Sequence, residues 1–264
     1  MNLNLLRNKI SFYSIMRNLL SSIIALLILN FSYAQKSEVK LLKDYDFYIE
    51  KNLEMGNWWT KNFLDDGLIT MQETYLGNEL RSRMEFKYDK RKNLIKKIQT
   101  FDVSDVNEND TLNIILTYKD SLLICKEYDN GMTEMYSDFT KFGKPRLLER
   151  VEDLDFKFWP YKETYIYDNE GNISKSQVFE TYTLNDSIVN QIETTHYEYD
   201  GFQNIIKIFR EYEPRREFPI IITGGPYLFE NEYFKYKYNE VGLWTKKFKI
   251  VEGKEYLIAK RIYK

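Results

Sequence analysis

Cysteine and histidine are almost missing, for Cys125 and His196 stand alone in 264 residues. No intramolecular disulfide can form, a Cys nucleophile would have only His196 as its partner, and one histidine cannot complete a His-rich metal site. Cys125 lies in the strand-like run Leu122–Lys126 and reads as an inert, buried thiol. Proline is scarce as well, at five, and Pro214, Pro219 and Pro226 crowd into one stretch. No basic block exists, and 38 Lys and Arg against 40 Asp and Glu leave a formal net charge of −2. That even balance argues against nucleic acid and anionic lipid surfaces as partners. Gly224-Gly225-Pro226 has no Lys-Ser or Lys-Thr behind it, so it is a turn and no phosphate cradle.

Long apolar runs are missing too, except near the N-terminus. There Arg7, Lys9 and Arg17 precede an apolar segment from Leu19 to Phe31, followed by Ser32-Tyr33-Ala34. The pattern is that of a secretory signal peptide over 1–34, with cleavage between Ala34 and Gln35. No Cys follows it to carry a lipid anchor. The expectation is an exported protein, periplasmic or extracellular, with residues 35–264 as a single domain and no membrane span in the mature chain.

What the sequence has in abundance is tyrosine, 22 residues of it. Tyr165-Ile166-Tyr167-Asp168-Asn169-Glu170-Gly171-Asn172-Ile173 is a strand that runs into a turn and out again. Asp168 suits the first position of a type I turn, and Gly171 suits the left-handed position that closes a bulged hairpin. Worn copies recur around Phe63, Tyr88, Tyr118, Phe139, Tyr199 and Tyr238, between 21 (Tyr118 to Phe139) and 39 residues (Tyr199 to Tyr238) apart. Seven units imply about fourteen strands. In the Tyr118 copy Asp120-Ser121 offers a shorter turn. In the Tyr88 and Tyr199 copies Lys92 and Gln203 fill the glycine slot, which costs ~1 kcal/mol if the left-handed conformation is kept; Asn93 and Asn204 are the alternative. Glu85-Phe86-Lys87-Tyr88 and Lys235-Tyr236-Lys237-Tyr238 alternate with period two, as does a strand with one wet face.

The Tyr-x-Tyr-Asp-x-x-Gly-Asn-Ile pattern resembles the YD repeat of the RHS family, extracytoplasmic β-repeats of bacterial surface and toxin-delivery proteins. The Tyr165 unit matches at every defined position, the others in part: Tyr197–Ile205 and Phe86–Leu94 lack the glycine, and Tyr236–Trp244 has Asn239 for Asp. The likeness touches about half of the mature chain and implies an all-β fold, an antiparallel meander of repeated, twisted hairpins with room to curl on itself. Residues 37–55 read equally as a short amphipathic helix or as first strands, and are expected to cap the open edge of the array. Glu213 to Pro226 is a proline-fenced insertion around Ile220-Ile221-Ile222.

Few residues invite chemistry. His196 alternates with Tyr197 and is expected on the face opposite the tyrosines, as an exposed strand histidine. Asp65-Asp66, Asp105 with Glu108 and Asp110, and Asp153 with Asp155 suit turn solvation, and Asn107–Asp110 lacks the spacing of a calcium loop. No cofactor or metal is expected. Aromatic residues beside the turns, Trp58, Trp59, Trp159, Tyr161, Tyr227 and Phe229, are the candidate ligand-binding set. Adjacent Trp58 and Trp59 must point to opposite faces of a strand. The leading expectation is a non-enzymatic secreted protein offering an aromatic-rich surface to a cell-envelope glycan or protein. A carboxylate-based hydrolase is one alternative. An outer-membrane β-barrel is another, with Lys246-Lys247, Arg215-Arg216 and the ending Tyr263-Lys264 against it.

Overall fold

The computed structural model describes residues 38–54, 56–101, 111–151, 161–184, 187–221 and 227–264. A helical turn over 38–42 leads into sixteen strands. They are β1 (Phe47–Asn52), β2 (Trp58–Asp65), β3 (Leu68–Leu76), β4 (Glu79–Tyr88), β5 (Leu94–Phe101), β6 (Thr111–Lys119), β7 (Leu122–Tyr128) and β8 (Thr133–Phe139). The second half comprises β9 (Pro145–Val151), β10 (Tyr161–Tyr167), β11 (Ile173–Leu184), β12 (Ser187–Tyr199), β13 (Ile205–Glu213), β14 (Asn231–Tyr238), β15 (Trp244–Val251) and β16 (Lys254–Tyr263). Each pairs antiparallel with its chain neighbours, and β1 pairs with β16, so the meander closes into a barrel. The signal-like segment and its cleavage point lie outside the described residues.

Closure corrects the expectation of an open, curling sheet, and the count shows why. The seven repeat turns join β2 to β3, β4 to β5, β6 to β7, β8 to β9, β10 to β11, β12 to β13 and β14 to β15. They account for fourteen strands and all lie at one end of the barrel. The eighth hairpin has no covalent turn. The two ends of the domain meet instead, with Phe47 N donating to Lys264 O at 3.0 Å and Lys264 N to Phe47 O at 2.9 Å. No open edge is left to cap at this seam. The 38–42 turn sits on the turn rim, where a Cβ on Gly67 would come within 2.1 Å of Val39 O, and it buries Leu42 against Tyr48, Ile69 and Leu243. Both readings of 37–55 contain part of the answer, since the segment holds this turn and then β1.

The turns follow the local chemistry. Asp168 Oδ1 accepts from Glu170 N at 2.9 Å and Asn172 N at 2.7 Å, while Gly171 has φ 84°. Asp89 and Asp200 do the same for Asn93 N and Asn204 N. Lys92 and Gln203 keep the left-handed conformation, each at φ 65°, so the asparagines after them do not reshape the turn. Asp120 (φ 50°) and Ser121 (φ 67°) form the shorter, type I′-like turn.

The tyrosines of the repeat motif point into the barrel. In unit after unit, the tyrosine that ends a strand donates its hydroxyl to the carbonyl where the strand after the preceding turn begins. Tyr88 reaches Ile69 O at 2.8 Å, Tyr118 reaches Leu94 O at 3.1 Å and Tyr167 reaches Pro145 O at 2.6 Å. Tyr199 reaches Ile173 O at 2.9 Å, and at the non-covalent seam Tyr263 reaches Trp244 O at 2.8 Å. The repeat thus stitches these four hairpins to the ones before them, and Tyr263 does the same at the seam; Phe63 and Phe139 have no hydroxyl to take part. Tyr136, Leu148, Tyr161, Tyr165, Ile173 and Tyr197 form the largest buried cluster.

The outward face is mixed. One register row reads Ile49, Lys61, Glu73, Arg83 and Thr100, another Lys87, Lys96, Ile115 and Glu127. Lys61, Glu73 and Arg83 stand near the middles of their strands. Outward Cys125 is half-buried, short of the expected full burial; burial, then Glu127 and Glu134, push its thiol up. His196 faces outward as expected, with Nε2 3.2 Å from Glu211 Oε2.

Candidate functional site

The repeat turns occupy one rim, so everything irregular falls at the other. That variable rim carries the β1–β2, β3–β4, β7–β8, β11–β12, β13–β14 and β15–β16 connections; stretches 102–110 and 152–160 lie outside the described residues. Trp58, Trp59, Tyr161, Tyr227 and Phe229 all belong to this end. Trp159 lies outside the described residues, as do Asp105, Glu108, Asp110, Asp153 and Asp155.

A shared end is not a shared surface. Trp59 faces outward, stacked on Tyr75 with centroids 3.9 Å apart, and its Nε1 donates to Gly77 O at 2.6 Å. That contact explains it as packing on the β3–β4 hairpin. Trp58 falls in the inward phase, so the two indoles take opposite faces as expected. Tyr161 is buried inside, its hydroxyl donating to Glu163 Oε2 at 2.9 Å. Strand parity, which composition cannot show, buries Tyr161 inside, while stacking on Tyr75 half-buries Trp59 on the outer face. Tyr227 and Phe229 are exposed.

Beneath this rim the interior is lined with charge. One inward register row reads Leu116, Lys126, Glu134, Arg150, Tyr161, Glu180 and Gln191, so opposite charges stand beside each other from strand to strand. Lys126 Nζ lies 3.5 Å from Glu134 Oε2 and 2.5 Å from Tyr136 Oη, and Tyr136 donates to Glu134 Oε2 at 2.7 Å. Arg150 Nε adds a 3.4 Å contact to Glu134 Oε1, and its guanidinium lies 3.9 Å over the Tyr161 ring. Burial pushes the Glu134 carboxyl up, but Lys126, Arg150 and the Tyr136 hydroxyl outweigh it, so the group stays ionised. Glu163 has less help: burial raises it to about 7 against the hydrogen bond from Tyr161 and the charge of Arg150. Lys97, buried on the same side, is lowered to about 7 by desolvation, then by Lys126.

A second inward chain of charge runs Arg210–Glu232–Lys249–Glu54, with N–O distances of 2.5, 2.6 and 3.1 Å. It brings the β13–β14 and β1–β2 connections together. Lys249 Nζ lies 4.8 Å over the Phe229 ring, and Arg210 Nη1 donates to Phe229 O at 2.9 Å. At the seam Arg261 bonds Glu50 and Glu38, both at 2.8 Å.

These inward groups link neighbouring strands of the wall. Among the described residues Arg150 Nη2, Glu163 Oε1 and Tyr165 Oη make no hydrogen bond of normal geometry and have almost no surface that water can reach, while the nearby Tyr165 hydroxyl still helps to hold the Glu163 carboxyl down. The interior around β7 to β10 is a buried polar cluster. Sequence reasoning missed Lys126, Glu134, Arg150 and Glu163, although Tyr161-x-Glu163-x-Tyr165 and Glu134-x-Tyr136 put two of them in phase with buried tyrosines. Asp66 is paired with Lys43 and Lys92, whose hydrogen bonds hold its carboxyl down to about 2, in keeping with a turn carboxylate. Among the described residues no cluster of three or more His, Cys, Asp and Glu could hold a metal ion.

What the variable rim does expose is aliphatic as much as aromatic. Leu53, Ile221, Tyr227, Phe229, Val251 and Tyr256 are exposed on three adjacent connections, β1–β2, β15–β16 and β13–β14. The turn rim also exposes Phe142, Phe202 and Val241, but singly, one per turn, with Phe202 stacked on Tyr238 at 4.3 Å.

No protein family matches the chain, and no curated protein does. Among solved structures, the Tc holotoxin pore of Photorhabdus luminescens overlaps 76% of this chain and 11% of its own, at 15% identity and a TM-score of 0.32. A TcdB2–TccC3 structure overlaps 76% and 14% at 9% identity and a TM-score of 0.25. A porin-like protein from Bacteroides uniformis overlaps 84% and 98% at 10% identity and a TM-score of 0.36. The chain thus spans about a tenth of the first toxin chain's length. At these TM-scores the likenesses establish neither a shared fold nor a shared activity.

Proposed function

We propose that this is an exported, water-borne barrel of YD-like hairpins that binds a cell-envelope partner through its variable rim, without catalysis. The observation that carries the reading is the exposure of Leu53, Ile221, Tyr227, Phe229, Val251 and Tyr256 on three neighbouring connections. Exposed apolar side chains gathered at one end of a folded protein mark a candidate interaction surface. Their aliphatic share favours a polypeptide over a glycan, since sugars stack on flat rings and this set offers three rings among six side chains. The mid-strand charges Lys61, Glu73 and Arg83 suit a wall in water. Retention of envelope components on immobilised barrel tests the reading. Wild-type protein should hold a component that the Leu53→Asp and Tyr227→Asp variants release, and equal retention by all three would reject the rim as the binding face.

A barrel in the outer membrane is the second reading, favoured by the closure of sixteen alternating strands. Against it, each Lys or Arg facing lipid at the bilayer midplane costs about 2–4 kcal/mol. Release by osmotic shock without detergent decides for the water-borne form, and retention until detergent is added decides for the membrane.

A further inference from the structure

The barrel closes, yet one of its hairpins outruns its neighbours. β11 and β12 pair without interruption from Lys175 with His196 to Leu184 with Ser187, whereas β13 meets β12 only from Ile192 with Glu213 onward. The outer side of Ser187–Gln191 therefore pairs with no strand. Local chemistry explains why β13 stops there. Pro214 has no N–H to give to a ladder, and the segment after it turns towards the interior. Arg216 and Phe218 lie 5.4 and 5.7 Å from the ring centre of Tyr212, which stands in the inward register row Glu163, Val178, Glu193, Tyr212. Among the described residues no main-chain hydrogen bond reaches Ser187, Ile188, Val189 or Asn190 from outside β11.

Natural proteins blunt an open edge with lysine, proline or a bulge. This edge has none of the three. It reads Ser-Ile-Val-Asn-Gln, its register against β11 runs without a shift, and Asp186 is the only charge between Thr181 and Gln191. Ile188 is 70% exposed, and Asn190 is exposed on the same face. We infer that Ser187–Gln191 is the pairing edge of a reversible dimer, in which β12 of a second copy lies antiparallel to β12 across a two-fold axis. An uncharged strand meets its own copy without setting like charges opposite each other, and it offers no charge by which a different polypeptide would be selected. A two-fold pairing engages the same edge on both copies and leaves neither open. Five residues span only about 17 Å, so the contact is far smaller than the roughly 1,200 Å² of a stable interface and comes apart on dilution. The inference does not depend on the rim-binding reading, since none of the six exposed rim side chains lies on this hairpin.

Sedimentation velocity over a concentration series is the test. The wild-type protein should pass from monomer to dimer as concentration rises. Ile188→Lys sets like charges near the axis and should weaken the dimer at least about tenfold, and adding Asn190→Lys should leave monomer throughout. Phe202→Asp, at the turn rim, should leave association unaltered. A second measurement locates the contact. In a Cys125→Ser background, mild oxidation should cross-link Ile188→Cys into a covalent dimer and leave Phe202→Cys monomeric. Circular dichroism confirms that each variant is folded, which the exposure of Ile188, Asn190 and Phe202 favours. Protein that stays monomeric up to about 1 mM overturns the inference. So does association indifferent to both lysine changes, growth beyond a dimer, or equal cross-linking at positions 188 and 202.

Discussion

The two ends of this barrel are built on different principles. At the turn rim each connection is short, five of the seven have their backbone held by an aspartate, threonine or asparagine side chain, and tyrosine hydroxyls tie several hairpins to their neighbours. At the variable rim the connections differ in length, the inward lining changes from tyrosine to paired charge, and apolar side chains stand in solvent. The contrast separates a templated end, where each residue has a local structural reason, from an end whose surface is left free to differ. Binding belongs with the second, because nothing in hairpin geometry calls for Ile221 or Tyr227 to be apolar.

The largest test of this contrast concerns the charge lining. Glu134→Gln removes the carboxylate between Lys126 and Arg150 and leaves two buried cations without a counter-charge, so unfolding by denaturant should show a loss of about 3–5 kcal/mol. A smaller loss would mean that the charged end carries less of the fold than its burial indicates.

The pH dependence comes next. Glu163 is raised to about 7 from an ordinary value of 4.5, so the folded state holds a proton that the unfolded state releases. Stability should fall as pH rises from 4.5 to about 7, by up to about 3 kcal/mol. Lys97 is lowered to about 7 from 10.5, so between these values the unfolded state binds the extra proton, and stability should recover as pH rises. Together they give a minimum near neutrality in the midpoint of urea unfolding measured against pH. Glu163→Gln should flatten the acid limb and Lys97→Met the alkaline one; a profile unchanged by both would refute the assignment.

At the turn rim the effects are local and smaller. Asp168→Ala strips an acceptor from Glu170 N and Asn172 N and should cost about 1–2 kcal/mol. Gln203→Gly relieves a left-handed side chain and should raise stability by ~1 kcal/mol, by the same measurement. The smallest effect is expected at the variable rim itself. Tyr227→Ala should shift stability by less than about 0.5 kcal/mol while reducing retention of the envelope partner. Loss of stability without loss of retention would reverse the roles of the two ends.

Much of the fold could be read from the sequence. All seven turns fall where the aromatic residues of the repeat recur, and the short Asp120-Ser121 turn is present, because turn geometry depends on neighbours within four residues. The interior was harder to read. Tyr161 and Trp59 look alike as aromatic residues near a turn, yet one is buried against Glu163 and the other is stacked outside on Tyr75. A one-residue difference in phase decides between them. Lys126 and Glu134 look like ordinary surface charges until strands β7 and β8 set them side by side.

By itself, then, the sequence determined the strand alternation, the seven turns and the scarcity of reactive groups, since all of these rest on local backbone preferences and composition. Tertiary structure alone decided that β1 meets β16, that the repeat tyrosines face an enclosed interior, and that the irregular connections gather at one end. Those outcomes depend on the accumulated twist and register of sixteen strands and on contacts such as Arg261 with Glu38 and Glu50, which join residues more than 200 positions apart.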